Sequence, residues 1–455
     1  MSSTPTAPAA GSRKIAIIGA GAMGLVAAYH AAKAGYDVTV YEADKKPGGM
    51  AAHFDFGGLS IERYYHFVCK ADQPLFDILE EVGLGDAMVW KDTSMGYFFN
   101  GALHNWGDPI SLLRFPGIGL IDKIRYGLHA FYSTKRSDWE KIDGLRADAW
   151  IKAWIGQKAY DVLWKKLFEL KFYHYAENVS ASWIWTRIKR VGTSRKSMMQ
   201  EQLGYIEGGS ETLVHRLVEK IEGMGGKIVL GAPVQEIRLS DGPNNSKKVE
   251  GVATPEGFEA FDNVISTVPM PYVGAMIPDL PPTLKAQYET LPNIGVICVI
   301  HKLRKPVTKH FWVNTNDPRM DIPGIVAFSN LRDTSPDHIV YVPYYMPNDL
   351  PRFQEPLSQF IDQSRAFLKM INPDLTDEDF IDAQAGRLKY AQPVCPPSFL
   401  DMLPDIAPAE VSGLMVADTS FYYPEDRGIS EGARLAKEMV ACIGTGAQPR
   451  KGIAE

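Results

Sequence analysis

An α/β fold is predicted for this 455-residue chain from three observations: an apolar run that passes straight into a glycine turn, an acid closing the next strand, and a further glycine pair beyond it. Residues 14–18, Lys-Ile-Ala-Ile-Ile, are the kind of β-branched run that fills the buried centre of a parallel sheet. Gly19, Ala20, Gly21, Ala22, Met23 and Gly24 follow at once, and residues 25–34 read as a helix ended by Gly35. In this order Gly19 allows the tight turn, Gly21 lets backbone approach a pyrophosphate, and Gly24 lets the helix lie close to the strand. Phosphates would then sit at the helix N-terminus, where unpaired N–H groups favour negative charge. Residues 37–41 alternate as a second strand, and Glu42 stands where a carboxylate is expected to accept ribose hydroxyls. The unit is therefore Rossmann-type.

Charge and cysteine usage narrow the function classes. Lys+Arg 48 against Asp+Glu 54 leaves a net charge of −6, which argues against a broadly basic surface for nucleic acid. Cys69, Cys298, Cys395 and Cys442 are far apart, so neither a metal site nor a disulfide framework is expected, and a reducing cytoplasm fits. Residues 1–12 and 446–455 read as tails. No stretch has the length of uncharged apolar sequence that a membrane span needs.

After Glu42 and Ala43 comes a short loop to Gly48, Gly49 and Met50, a second glycine pair that a plain NAD domain does not need. Here the sequence resembles the flavin monoamine oxidase, protoporphyrinogen oxidase and carotenoid desaturase superfamily, whose members carry an acid, a loop and Gly-Gly at this place. Three later segments extend the resemblance: Gly208-Gly209 before a helix and residues 227–237, the strand-like residues 262–269, and residues 413–418 with 426–433. The resemblance implies FAD as cofactor. It places the backbone of Val234 against the adenine, Asp418 by the pyrophosphate or ribityl chain, and Gly428, Ile429 and Ser430 at the pyrimidine edge of the flavin. A helix N-terminus there would stabilise the anion of reduced flavin.

The same resemblance implies an FAD-binding domain assembled from residues 13–71, 204–270 and 395–445. It is interleaved with a substrate domain made of a helical cap, 72–203, and an antiparallel sheet, 271–394. Residues 295–300 and 338–345 alternate as strands of that sheet. The flavin would lie at the domain interface.

A flavin accepts hydride, so the leading expectation is an oxidoreductase acting at a C–N or C–C site of a bulky substrate, anionic or lipidic. Many amine oxidases place a lysine in a strand of the substrate domain. Residues 295–300 offer aliphatic side chains instead, and Lys302 falls two residues beyond. A reaction without net redox, as in UDP-galactopyranose mutase, and a non-catalytic FAD-binding protein are the alternatives. Covalent flavin attachment at Cys395 is not expected, since its surroundings lack the glycine-flanked pattern.

Glu62, Arg63, Tyr65 and His66 are the catalytic candidates, because family topology runs this segment along the flavin. If it is extended, Glu62 and His66 share a face, and the carboxylate would raise the basicity of the imidazole. Arg187 and Arg190 are candidates for clamping an acidic group of the substrate. Residues 110–132 mix Leu, Ile, Phe and Tyr with Arg114, Lys123 and Arg125; they read as cap helices packed on the core in preference to a surface that meets a bilayer.

Overall fold

The computed structural model describes residues 13–243 and 246–452, so the tail read at 1–12 lies outside the described residues. Five short strands form a parallel sheet in the order Lys227–Leu230, Asp37–Glu42, Lys14–Ile18, Asn263–Ser266 and Leu414–Val416. Ile15, Ala16 and Ile17 at its centre have no exposed surface, as a strand covered on both faces requires. Helices Ala22–Lys33 and Ile429–Cys442 pack against each other beside this sheet. Distant segments thus close one layer around the N-terminal turn.

A seven-stranded sheet forms the second layer, with order Phe380–Pro393, Asn293–Leu303, His338–Met346, Gly324–Ala327, Trp312–Asn316, Met95–Phe99 and Ala102–Trp106. Its pairs are antiparallel except Trp312–Asn316 with Met95–Phe99, which is parallel. Residues 95–106 were expected in the helical cap; they are a hairpin instead. Asn100 and Gly101 both take positive φ, 47° and 80°, the tight-turn geometry that an Asn-Gly pair supplies most readily. Met88–Thr93 likewise pairs with Gln200–Ile206, so the cap is entered and left through strands.

Between those strands lie the cap helices, chiefly Leu120–Lys135, Ala147–Ile155, Lys166–Phe172 and Ala181–Thr193. Trp139, Trp150, Trp183 and Trp185 are buried among them, and the indole N–H of Trp185 donates to the Ser133 carbonyl at 2.9 Å. The expectation that residues 110–132 pack on the core holds for one side only. Ser111 and His129 are buried, while Ile110, Leu113, Leu120, Ile121, Ile124, Leu128, Phe131 and Tyr132 are exposed. Residues 446–452, read as tail, lie along residues 403–407: the Gln448 amide meets the Ala407 backbone, and Lys451 donates to the Leu403 carbonyl. Among the described residues no helix is long and apolar enough to cross a membrane, and no cluster of side chains is arranged to hold a metal.

Candidate functional site

A cavity of about 800 Å³ runs from the N-terminal glycine turn to the face of the seven-stranded sheet. At one end the turn is built by contacts that only glycine permits. A Cβ on Gly24 would lie 1.9 Å from the Gly19 carbonyl oxygen, which is far inside contact distance. A Cβ on Gly49 would lie 3.1 Å from Gly21 Cα, and the Gly48 N–H donates to the Ala20 carbonyl at 2.7 Å, so the two glycine loops are fastened to each other. A Cβ on Gly21 would meet nothing within 4 Å. The turn is therefore closed on its inner side and open toward the cavity, the shape that a pyrophosphate needs.

Gly19, Gly21, Ala22, Met23, Gly24, Glu42, Gly48, Gly49 and Met50 all line this cavity, as do Asp418, Gly428, Ile429 and Ser430. Glu42 accepts the N–H groups of Ala20, at 2.7 Å, and Asp44, at 2.9 Å, which fixes the acid at the lip of the turn. The buried Asp418 carboxylate accepts from Met270 N–H, at 2.9 Å, and Ser420 N–H, at 2.8 Å; burial outweighs these bonds and leaves its carboxyl above the ordinary range. Helix Ile429–Cys442 presents its N-terminus to the cavity through Gly428. Ala20, Ala43 and Val234 do not line it. Ala20 is enclosed behind the turn, and Val234 follows an edge that hydrogen-bonds to Glu42 and Asp44 through Ala232 and Gly231.

The segment expected to carry catalysis lies on the cavity wall, but its geometry differs from the expectation. The strand Ser60–Glu62 stops at Glu62, so the alternation does not continue to His66. Glu62 accepts from the Ser210 N–H at 3.2 Å and lies 3.4 Å from both His53 Nε2 and Arg332 Nη1. Burial pushes its carboxyl up, but the histidines and Arg332 win, and it stays below the ordinary value. His66 goes the opposite way from the expected gain in basicity: burial lowers it, and the attraction of Glu62 does not compensate. Its Nδ1 is buried without a hydrogen-bond partner. Arg63 is paired with Asp44, and Tyr65 sits edge-on between Trp312 and Tyr341, each 5.7 Å away between centroids.

Both arginines expected to form a clamp are paired with carboxylates, and of the two Arg190 lines the cavity. Arg190 forms a two-point pair with Asp72, Nε to Oδ1 at 3.2 Å and Nη2 to Oδ2 at 2.8 Å. Arg187 Nη2 is 2.6 Å from Asp426 and does not line the cavity. Lys302 belongs to the strand Asn293–Leu303 rather than lying beyond it, and its ammonium is held by Asp337 at 2.9 Å and by the Phe56 carbonyl at 3.1 Å. Val296, Cys298 and Ile300 on that strand face the cavity. Cys395 is buried and does not line it.

Lys171, from the last turn of helix Lys166–Phe172, was not singled out by any sequence pattern, yet it lines the cavity. Its ammonium stands 4.9 Å from the Tyr345 ring centre and 5.1 Å from that of Trp183, and it forms no ion pair among the described residues. Burial brings Lys171 down to about 7; Asp426 opposes this, while Arg187 and Arg427 add to it. Arg427 donates to the Ala391 carbonyl and to the Tyr345 hydroxyl, the latter at 3.2 Å. The only sequence signal for Lys171 was a cation amid Leu170, Phe168 and Phe172, which describes many helix ends.

A parallel sheet with a glycine turn, a terminal acid and a C-terminal helix start converging on one large cavity defines a dinucleotide-binding protein of the flavin type. The profile of the flavin containing amine oxidoreductase family matches residues 24–389, and the chain belongs to that family, a family of FAD-dependent oxidoreductases. FAD is its cofactor. The chain is 26% identical over 290 residues to the 15-cis-phytoene desaturase of Synechococcus elongatus, a match covering 58% of this chain and 60% of the relative. The chain thus spans less than two thirds of the length of that curated relative. A solved protoporphyrinogen oxidase-like protein of Exiguobacterium sp. 255-15 superposes with a TM-score of 0.74 at 19% identity, over 96% of this chain and 99% of its own. Reduced UDP-galactopyranose mutase superposes with a TM-score of 0.70 at 14% identity, over 96% of each chain. At these identities the two solved structures establish the shared fold.

Proposed function

We propose that the chain is an FAD-dependent oxidoreductase that takes hydride from a C–N or C–C site of a bulky substrate. The supporting observation is the single cavity joining the glycine turn to Val296, Cys298, Ile300 and Tyr345. In this reading Gly19 to Gly24 and the start of helix Ala22–Lys33 receive the pyrophosphate, Glu42 the ribose, and Gly428 to Ser430 the flavin pyrimidine edge. FAD supplies the hydride acceptor. The sheet face excludes water and orients the reacting carbon, and the proton that leaves with the hydride passes to Lys171 Nζ. An amine brought down to about 7 is neutral often enough at neutral pH to take it. His66, lowered by burial and short of a partner at Nδ1, is neutral and acts as a hydrogen-bonding group.

Anaerobic bleaching of the bound flavin against amines, porphyrinogens, isoprenoids and nucleotide sugars tests the reading. Stoichiometric bleaching by one of the first three classes is expected. Turnover of a nucleotide sugar by the pre-reduced protein, with no bleaching of the oxidised form by any class, would overturn it in favour of a reaction without net redox.

A further inference from the structure

Helix Leu120–Lys135 turns an apolar stripe to solvent. Leu120, Ile121, Ile124, Leu128, Phe131 and Tyr132 fall within an arc of about 120° at 3.6 residues per turn. The side chains that pack inward, His129 and Ser133, lie on the other side. Ile121 is 74% exposed and Leu120 64%. The preceding helix, Pro109–Arg114, adds Ile110 and Leu113, the latter 56% exposed. Half of the exposed large apolar side chains among the described residues therefore sit in one short stretch of sequence, where scattered single residues would need no explanation.

The charge around the stripe selects the occupant. Residues 109–135 carry Arg114, Lys123, Arg125 and Lys135 against Asp122, a balance of 4 − 1 = +3 on a chain of net charge −6. Arg114 and Lys135 are exposed and form no ion pair among the described residues. Next to the stripe, Lys135 lines a cavity of about 230 Å³ walled by Tyr132, Trp150 and Trp154, in which Arg136 is paired with Asp138 at 3.2 Å, so that Lys135 is the cation left there for a small polar headgroup. A second copy of this chain fits poorly, because a two-fold interface sets the same basic patch against itself. An anionic lipid surface complements both features at once: the stripe enters the acyl boundary while the cations remain among the headgroups.

We infer that this face of the cap, helices Pro109–Arg114 and Leu120–Lys135, is a docking surface for anionic membranes. It holds the protein on the bilayer without spanning it. The inference rests on exposure and charge, and stands whatever the reaction proves to be.

Co-sedimentation of the full-length, FAD-loaded protein tests it, using vesicles of phosphatidylcholine alone and of phosphatidylcholine with phosphatidylglycerol in equal parts, at low and high salt. The expected result is binding to the mixed vesicles that weakens at least tenfold, roughly, on phosphatidylcholine alone or in high salt. Ile121→Asp with Ile124→Asp should weaken it about a hundredfold, since two largely exposed side chains lose their burial in the lipid. The FAD content and melting temperature of that variant should match those of the parent. Failure to sediment with either vesicle, or equal binding by the variant, overturns the inference. So does self-association that the variant abolishes while neither protein binds vesicles, which would assign the face to a second copy.

Discussion

The nucleotide end and the sheet end of the cavity are built in different ways. At the nucleotide end, residues 19–24 and 42–50 supply much of the lining, and the tightest contacts of Gly24 and Gly49, with Gly19 and Gly21, lie within that stretch, while Gly19 itself is hemmed in by Thr267 and Val268. At the sheet end, Lys171, Cys298, Tyr345, Leu388 and Arg427 come from five separated segments and meet only after the sheet and cap have formed. Local chemistry survives as a readable motif because spacing alone specifies it. A wall assembled from distant segments leaves no such trace, and its polar groups are defined by what they happen to be paired with.

Steric substitution at the glycine turn is the severest test of this contrast. Gly24→Ala forces a Cβ to within 1.9 Å of the Gly19 carbonyl, and a cost above about 4 kcal/mol, with loss of bound FAD, is expected. Gly21→Ala meets nothing within 4 Å, so the apoprotein should unfold within about 1 kcal/mol of the parent while its FAD affinity falls at least tenfold, roughly. Denaturant melts of the apoproteins and titration with FAD separate the two. Equal FAD affinity in Gly21→Ala and the parent would mean that the open side of the turn is not where the cofactor lies.

The part of the wall assembled from distant segments is probed through its ion pairs. Asp72→Asn leaves the Arg190 guanidinium largely enclosed without its carboxylate, and a loss of about 3 kcal/mol or more in unfolding free energy is expected. A loss below about 1 kcal/mol would show that the pair is effectively solvated and would return Arg190 to the list of groups free to meet a substrate.

Closest to function is Lys171→Met. Lys171 is an ammonium below about pH 7 and a neutral amine above it, so a base role requires flavin reduction to accelerate with rising pH up to that region and then level off. The variant should lose about a hundredfold in the rate of reduction by the substrate found in the bleaching experiment, and the limb near pH 7 with it. An unchanged limb in the variant would assign that titration to another group.

Much of the fold was legible in sequence, and the misreadings share a cause. The residue runs at 14–18, 295–300 and 338–345 announced strands because alternation and β-branching are local properties. The hairpin at 95–106 was overlooked in a stretch dominated by helical patterns, although its Asn100-Gly101 turn was a local signal that could have found it. Lys302 was placed beyond its strand because the aliphatic run ends at Ile300, whereas pairing of Lys302 with Ile339 and Asp382 carries the strand on to Leu303.

Sequence alone determined the dinucleotide turn, the acid at Glu42, the second glycine pair and the superfamily, since each is written in the spacing of residues close along the chain. Tertiary structure alone decided which charges remain available. Arg187 and Arg190 are paired with Asp426 and Asp72, His66 is made less basic although Glu62 attracts its proton, and Lys171 stands among aromatic rings with no ion-pair partner among the described residues. The reason is that ionisation and pairing depend on burial and on groups a few ångströms away in space, and those neighbours are fixed only when segments far apart in sequence pack together.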